Sequence, residues 1–174
     1  MTIKGSIVGN STNAALIAAV GQAAPPAGSD VAIGTIRVMG RVEYGLIDAG
    51  TFGEHTNADA QIGTVTVGGD WIASSLVAGT NAGVDGLYGT ADDVKSAGGK
   101  DLVNVLSSIG SITINGTVIG TAITGDHFGF VAETVGTVTI NGAAIPHVAG
   151  PHNDDILLAT DIDGLFGDVR LREI

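Results

Sequence analysis

The sequence has no cysteine, which excludes disulfides, thiolate metal sites and cysteine nucleophiles and leaves the redox compartment open. Basic residues are scarce: seven Lys and Arg face eighteen Asp and Glu, a formal net charge of −11. A nucleic-acid binder needs clustered Lys and Arg on phosphates, so that class is excluded, and docking on an anionic membrane surface is equally disfavoured. Aromatic residues make up only 4%; Trp71, Tyr44 and Tyr88 are too few for an obvious sugar-stacking platform. Long apolar runs are missing as well. The most apolar stretch, Ala14 to Val20, stops at Gly21, far short of the ~20 residues that span a bilayer. Only Lys4 precedes it, so it also makes a poor signal peptide. Convincing helical periodicity over three turns is absent; Leu102, Val103, Val105 and Leu106 form the nearest helical candidate, short enough to be a single turn.

What the chain has in abundance is glycine, 28 of 174 residues, and enough apolar residues, 44%, to fold rather than remain disordered. The glycines punctuate a repeat. Gly63-Thr-Val-Thr-Val-Gly-Gly69 returns as Gly110-Ser-Ile-Thr-Ile-Asn-Gly116 and as Gly136-Thr-Val-Thr-Ile-Asn-Gly142, with an earlier copy at Gly34-Thr-Ile-Arg-Val-Met-Gly40. Ile47-Asp48-Ala49-Gly50-Thr51 aligns with Leu76-Val77-Ala78-Gly79-Thr80 in the same way. Ile3-Lys4-Gly5 and Gly167-Asp168-Val169-Arg170-Leu171 are partial copies at the two ends. The leading glycines at 34, 63, 110, 136 and 167 are separated by 29, 47, 26 and 31 residues.

Each copy alternates β-branched apolar residues with polar ones, the period of a half-buried strand. A unit of that length cannot bury its apolar face alone, and stacking on its neighbours completes a core. The expected fold is therefore an all-β parallel β-helix, a solenoid of about six coils. Ile36, Val65, Ile112, Val138 and Val169 would form one inward column, and Val38, Val67, Ile114, Ile140 and Leu171 the next. The competing fold is a β-sandwich, because Asn115-Gly116 and Asn141-Gly142 are the turn pairs of antiparallel hairpins. Residues 1–174 read as one domain with an inserted acidic loop at 81–108. Because the first residues already belong to a repeat, the chain reads as a piece of a longer protein.

The glycine-bounded strand, the loop from Asp85 to Asp93 and the segment Asp126-His-Phe-Gly-Phe-Val-Ala-Glu133 are together similar to repeat regions of large secreted or surface-attached bacterial proteins. That resemblance implies a right-handed β-helix, an extracellular or cell-surface location with the export signal outside these residues, and no assigned catalytic role.

Two features could carry chemistry. In the acidic loop, Asp85, Asp92 and Asp93 are hard oxygen ligands, and glycines let carbonyls turn inward, which suits calcium; the alternative is a solvated insertion. Asp161 to Gly167 echoes this loop. The histidines, His55, His127, His147 and His152, lack zinc-site spacing. His127, beside Asp126, is the most interesting, yet adjacent strand residues point to opposite faces. A glycosidase would need facing carboxylates, with Asp48, Asp70 and Asp126 the possible members and no pairing forced.

The reading that emerges is a non-catalytic structural or adhesive module, calcium-stabilised if the loop holds metal, with a glycan or cell-surface protein as partner. Arg170-Leu171-Arg172-Glu173 puts charges on the last strand and reads as a closing rung; the N-terminal end of the stack, with no comparable cap, is a place for self-association. The alternatives are a carbohydrate-active lyase or glycosidase, and an ice-binding surface on the outward Thr64/Thr66, Ser111/Thr113 and Thr137/Thr139 columns.

Overall fold

The computed structural model describes residues 1–148, 150–159 and 168–174. The protein is all-β, and its strands gather in three main sheets, each taking one strand from successive turns of the chain. Thr2–Ile3, Asp30–Val38, Ala60–Val67, Ser108–Ile114 and Thr134–Ile140 lie side by side in the first sheet, all parallel. The second sheet holds Ile7–Val8, Val42–Glu43, Trp71–Ile72 and Val118–Ile119, again parallel. The third holds Ala15–Ala19, Gly45–Ala49, Ser75–Ala78, Phe128–Ala132 and Val169–Glu173. On four turns the chain visits the sheets in the same order; on the fifth the described residues contribute to the first and third.

Register follows the repeat. Ile36, Val65, Ile112 and Val138 are direct neighbours across four strands, as are Val38, Val67, Ile114 and Ile140. All but the half-buried Ile140 are buried in one core. The third sheet supplies the facing column, Ile17, Ile47, Leu76, Phe130 and Leu171. Between them sits Trp71, fully buried, its ring edge-on to Phe130 at 5.2 Å and its Nε1–H donating to the Ser74 carbonyl at 2.8 Å.

The leading glycines have a steric reason. A Cβ on Gly63 would run into the carbonyl oxygen of Gly34, one on Gly110 into that of Gly63, and one on Gly136 into that of Gly110. Backbones at this bend touch directly from turn to turn, and no side chain fits between them.

Several expectations need correction. Val169 and Leu171 do not extend the first-sheet columns; they pair with Phe128 and Phe130 in the third sheet. Alternation alone cannot distinguish the two sheets; placing Val169 on a further first-sheet strand gives the expected six coils, whereas the described residues form five turns. Nor does Val169–Glu173 close the stack, because Asp155–Ala159 pairs antiparallel outside it, tied by Asp155 to Arg170 and Arg172. Of the two hairpin signals, Asn141-Gly142 does turn back: both residues have positive φ, 50° and 76°, and Ala143–Ala144 pairs antiparallel with Thr139 and Ile140. Asn115-Gly116 instead continues the parallel ladder, with Gly116 N–H bonded to the Gly69 carbonyl. Residues 102–105 form a single turn, Val105 N–H to Leu102 carbonyl.

Candidate functional site

The insertion begins as a two-residue antiparallel pairing of Thr80–Asn81 with Val94–Lys95 and then lies over the outer face of the third sheet. Val77 and Val131 alternate with core residues and so point outward, yet both are fully buried, packed with Leu46, Tyr88 and Ile174. Gly89 permits this contact, because a Cβ there would strike the Phe128 carbonyl.

Asp85, Asp92 and Asp93 shape this loop. Asp92 Oδ2 accepts the N–H of Val84 at 2.6 Å and of Asp85 at 3.2 Å, while its Oδ1 accepts the Thr90 hydroxyl at 2.6 Å. Those bonds, the Thr90 hydroxyl first, hold the Asp92 carboxyl down at about 2. Asp93 Oδ2 accepts from Gly89 and Thr90 at 2.7 and 3.0 Å, and Asp85 Oδ1 from Leu87 at 2.8 Å. These are side-chain-to-backbone turns of the kind Asp stabilises in irregular segments. The other Asp93 oxygen is buried without a hydrogen-bond partner, in a cleft also lined by Glu133, Glu173, Lys95 and Arg172. Among the described residues no group of three or more His, Asp or Glu side chains is arranged to hold a metal ion. The echo from Asp161 to Gly167 lies outside the described residues.

Two carboxyls, Asp48 on the third sheet and Asp93 within the insertion, are electrostatically costly. Asp48, 5% exposed on the outer face of the third sheet, is pushed up to about 6 by burial, against one hydrogen bond from Thr51 N–H. Asp93 is raised to about 6 for the same first reason. The Tyr88 phenol is driven up by burial and by both carboxylates. Local sequence carries no sign of the segment that covers Asp48.

The second half of the insertion grips the corner leading to the first sheet. Lys100 Nζ bonds the fully buried Asp30 at 2.6 Å and the Gln22 carbonyl at 2.7 Å; Asn57 bonds the same Asp30 oxygen at 2.8 Å. Burial raises Asp30, but the Lys100, Gln22 and Asn57 bonds outweigh it and hold the carboxyl below its ordinary value. Leu102 N–H donates to Asp59, and Lys95 pairs with Asp101 and Glu133.

A groove of about 510 Å³ lies at the corner between the second and third sheets. Gly45, Ala73, Ser75, Tyr44, Tyr88 and Phe128 line it, together with Asp126 and His127. The Thr121 hydroxyl donates to Asp126 Oδ2 and accepts the Ile123 N–H. Asp126 Oδ1 and His127 Nδ1 are inaccessible to solvent and have no hydrogen-bond partner. Of the other carboxylates considered from sequence, Asp70 sits at a different corner, accepting the Thr117 N–H and hydroxyl. Trp71 contributes to the core, not to any surface.

The remaining histidines are dispersed. His147 bridges the carbonyls of Ile145 and Val135 at 2.9 and 3.1 Å, locking the hairpin at the end of the first sheet; His55 and His152 are exposed. No helix among the described residues is long and apolar enough to cross a membrane. No protein-family model, curated protein or solved structure matches this chain.

Proposed function

We propose that the chain is a right-handed parallel β-helix serving as a non-catalytic structural and adhesive module of a secreted or cell-surface protein. The observation that carries this reading is the in-register stacking of equivalent residues through three parallel sheets. Such an arrangement makes a rigid rod whose corners can carry loops of any length without disturbing the core. The acidic insertion is one such loop, organised largely by its own carboxylates. Incubation with neutral and acidic polysaccharides, followed by reducing-end assay, tests the non-catalytic part. No turnover is expected; depolymerisation abolished by Asp126→Asn or His127→Ala would replace this reading with that of a carbohydrate-active enzyme.

A second reading rests on the outer face of the first sheet. Thr35, Thr64, Ser111 and Thr137 stand in one column and Thr66, Thr113 and Thr139 in the next, with Ser111 donating to Thr64 at 3.2 Å. A regular hydroxyl lattice of this kind suits an ice surface. Thermal hysteresis in solution supports this role, and its absence leaves the columns as ordinary exposed strand positions.

A further inference from the structure

We propose that the hairpin closing the first sheet is a pH-operated latch, shut while the His147 imidazole carries two protons and released when it loses one. The chain turns back at Asn141-Gly142, and Ala143–Ala144 pairs antiparallel with Thr139 and Ile140. Ile145 N–H then donates to the Val138 carbonyl at 2.9 Å. Beyond that point two side chains take the place of a further strand, and both act on Val135. Glu173 Oε1 accepts the Val135 N–H at 2.7 Å. His147 Nε2 meets the Val135 carbonyl at 3.1 Å, while Nδ1 meets the carbonyl of Ile145, in the hairpin itself, at 2.9 Å. The ring therefore ties the end of the hairpin to the strand it covers.

Carbonyl oxygens only accept, so both ring nitrogens must donate, and only the imidazolium has two N–H groups. A neutral ring sets one nitrogen lone pair against an oxygen lone pair and cuts one end of the tie. Val135 is 2% exposed, so water replaces a donor lost there only if the hairpin moves away. Proton loss and opening are coupled for that reason. Two charged groups face the ring. Asp154, which follows the hairpin, favours the cation; Glu173, on the last third-sheet strand, is raised by burial and brought partly back down by the ring. Thr134–Ile140 and Ala143–Ala144 contribute no titratable side chain. Burial pulls the ring's own value down, but the bonds to Ile145 and Val135 outweigh it and leave it above the ordinary 6.5. The latch thus contributes fully below about 6.5 and loses its hold as pH rises through the folded value. What it guards is the edge of Thr134–Ile140, last of the parallel strands in the first sheet; an uncovered edge is a template for strand pairing.

Amide hydrogen exchange of the isotope-labelled protein, followed by NMR from pH 6 to pH 9, tests the latch. Rates are divided by the intrinsic rate at each pH, so that protection alone is compared. Protection of the Ile145 amide should fall about tenfold or more, the loss of one charge-assisted hydrogen bond. That fall should track the titration of the His147 ring, read from its carbon-bound protons. Amides of Ile112 and Thr113, inside the same sheet, should keep their protection. In His147→Gln, which is neutral throughout, Ile145 should be less protected than in the wild type at pH 6 and level across the range. Unchanged Ile145 protection across the ring's titration, or an equal fall in His147→Gln, overturns the proposal. The wild-type titration decides alone if the variant does not fold.

Discussion

Replacing Asp48 by asparagine should make the protein more stable at neutral pH. Asp48 is 5% exposed beneath the insertion, and its carboxyl is raised from 3.8 to about 6, burial being the first cause. A raised carboxyl means that the charged form is disfavoured in the folded state. The penalty is fully present above the folded value, shrinks as pH falls through 6, and is gone below the unfolded value near 4. A shift of that size corresponds to a ceiling of about 3 kcal/mol. Asparagine keeps an oxygen for the Thr51 N–H, so ~1–3 kcal/mol of stabilisation is expected at pH 8, or roughly 2–10 °C in Tm for a chain of this size. The assay is urea unfolding of both proteins at pH 8 and at pH 4. The variant should lead at pH 8 and the two should converge at pH 4. A destabilised Asp48→Asn at pH 8, or a difference independent of pH, would refute the argument that burial of this charge opposes folding.

Lys100→Met should cost ~2–3 kcal/mol at pH 7, because it leaves the buried Asp30 charge with its Asn57 and Gln22 bonds but no cation. Since Asp30 is held below its ordinary value, that loss should fade as pH drops through the carboxylate range, a trend checked by denaturation at several pH values. Gly110→Ala should lower stability by about 1–3 kcal/mol or more, since the added Cβ meets the Gly63 carbonyl rather than a yielding side chain; circular dichroism melting reports it directly. Because Asp85, Asp92 and Asp93 already accept loop N–H and hydroxyl groups, chelation with EDTA should leave Tm unchanged. A calcium-dependent rise in Tm, lost in Asp93→Asn, would instead assign a metal to the loop.

The first sheet was legible because its determinants are local and periodic: alternating β-branched residues between glycines that recur from turn to turn. The same logic paired Ile47 with Leu76 and Ala49 with Ala78, which the structure reproduces. It failed at Val169 and Leu171, where the alternation suits either the first or the third sheet and only the corner lengths decide. The second sheet went unread because two-residue strands such as Val42–Glu43 and Trp71–Ile72 carry no period. Asp126 and His127 were visible as a pair, but the groove beside them depends on which turns have short corners and which bulge. The docking of Tyr88 on Val77 and Val131 is likewise a long-range event with no trace in local pattern.

The central claim is that equivalent aliphatic side chains of successive turns stack in parallel register. Methyl NOE spectroscopy on protein labelled at Ile and Val tests it most directly. Contacts should link Ile36 to Val65, Val65 to Ile112 and Ile112 to Val138, each a direct neighbour in the first sheet. Close Hα–Hα contacts between residues 63–69 and 110–116 in mirrored order, the mark of antiparallel pairing, would contradict it.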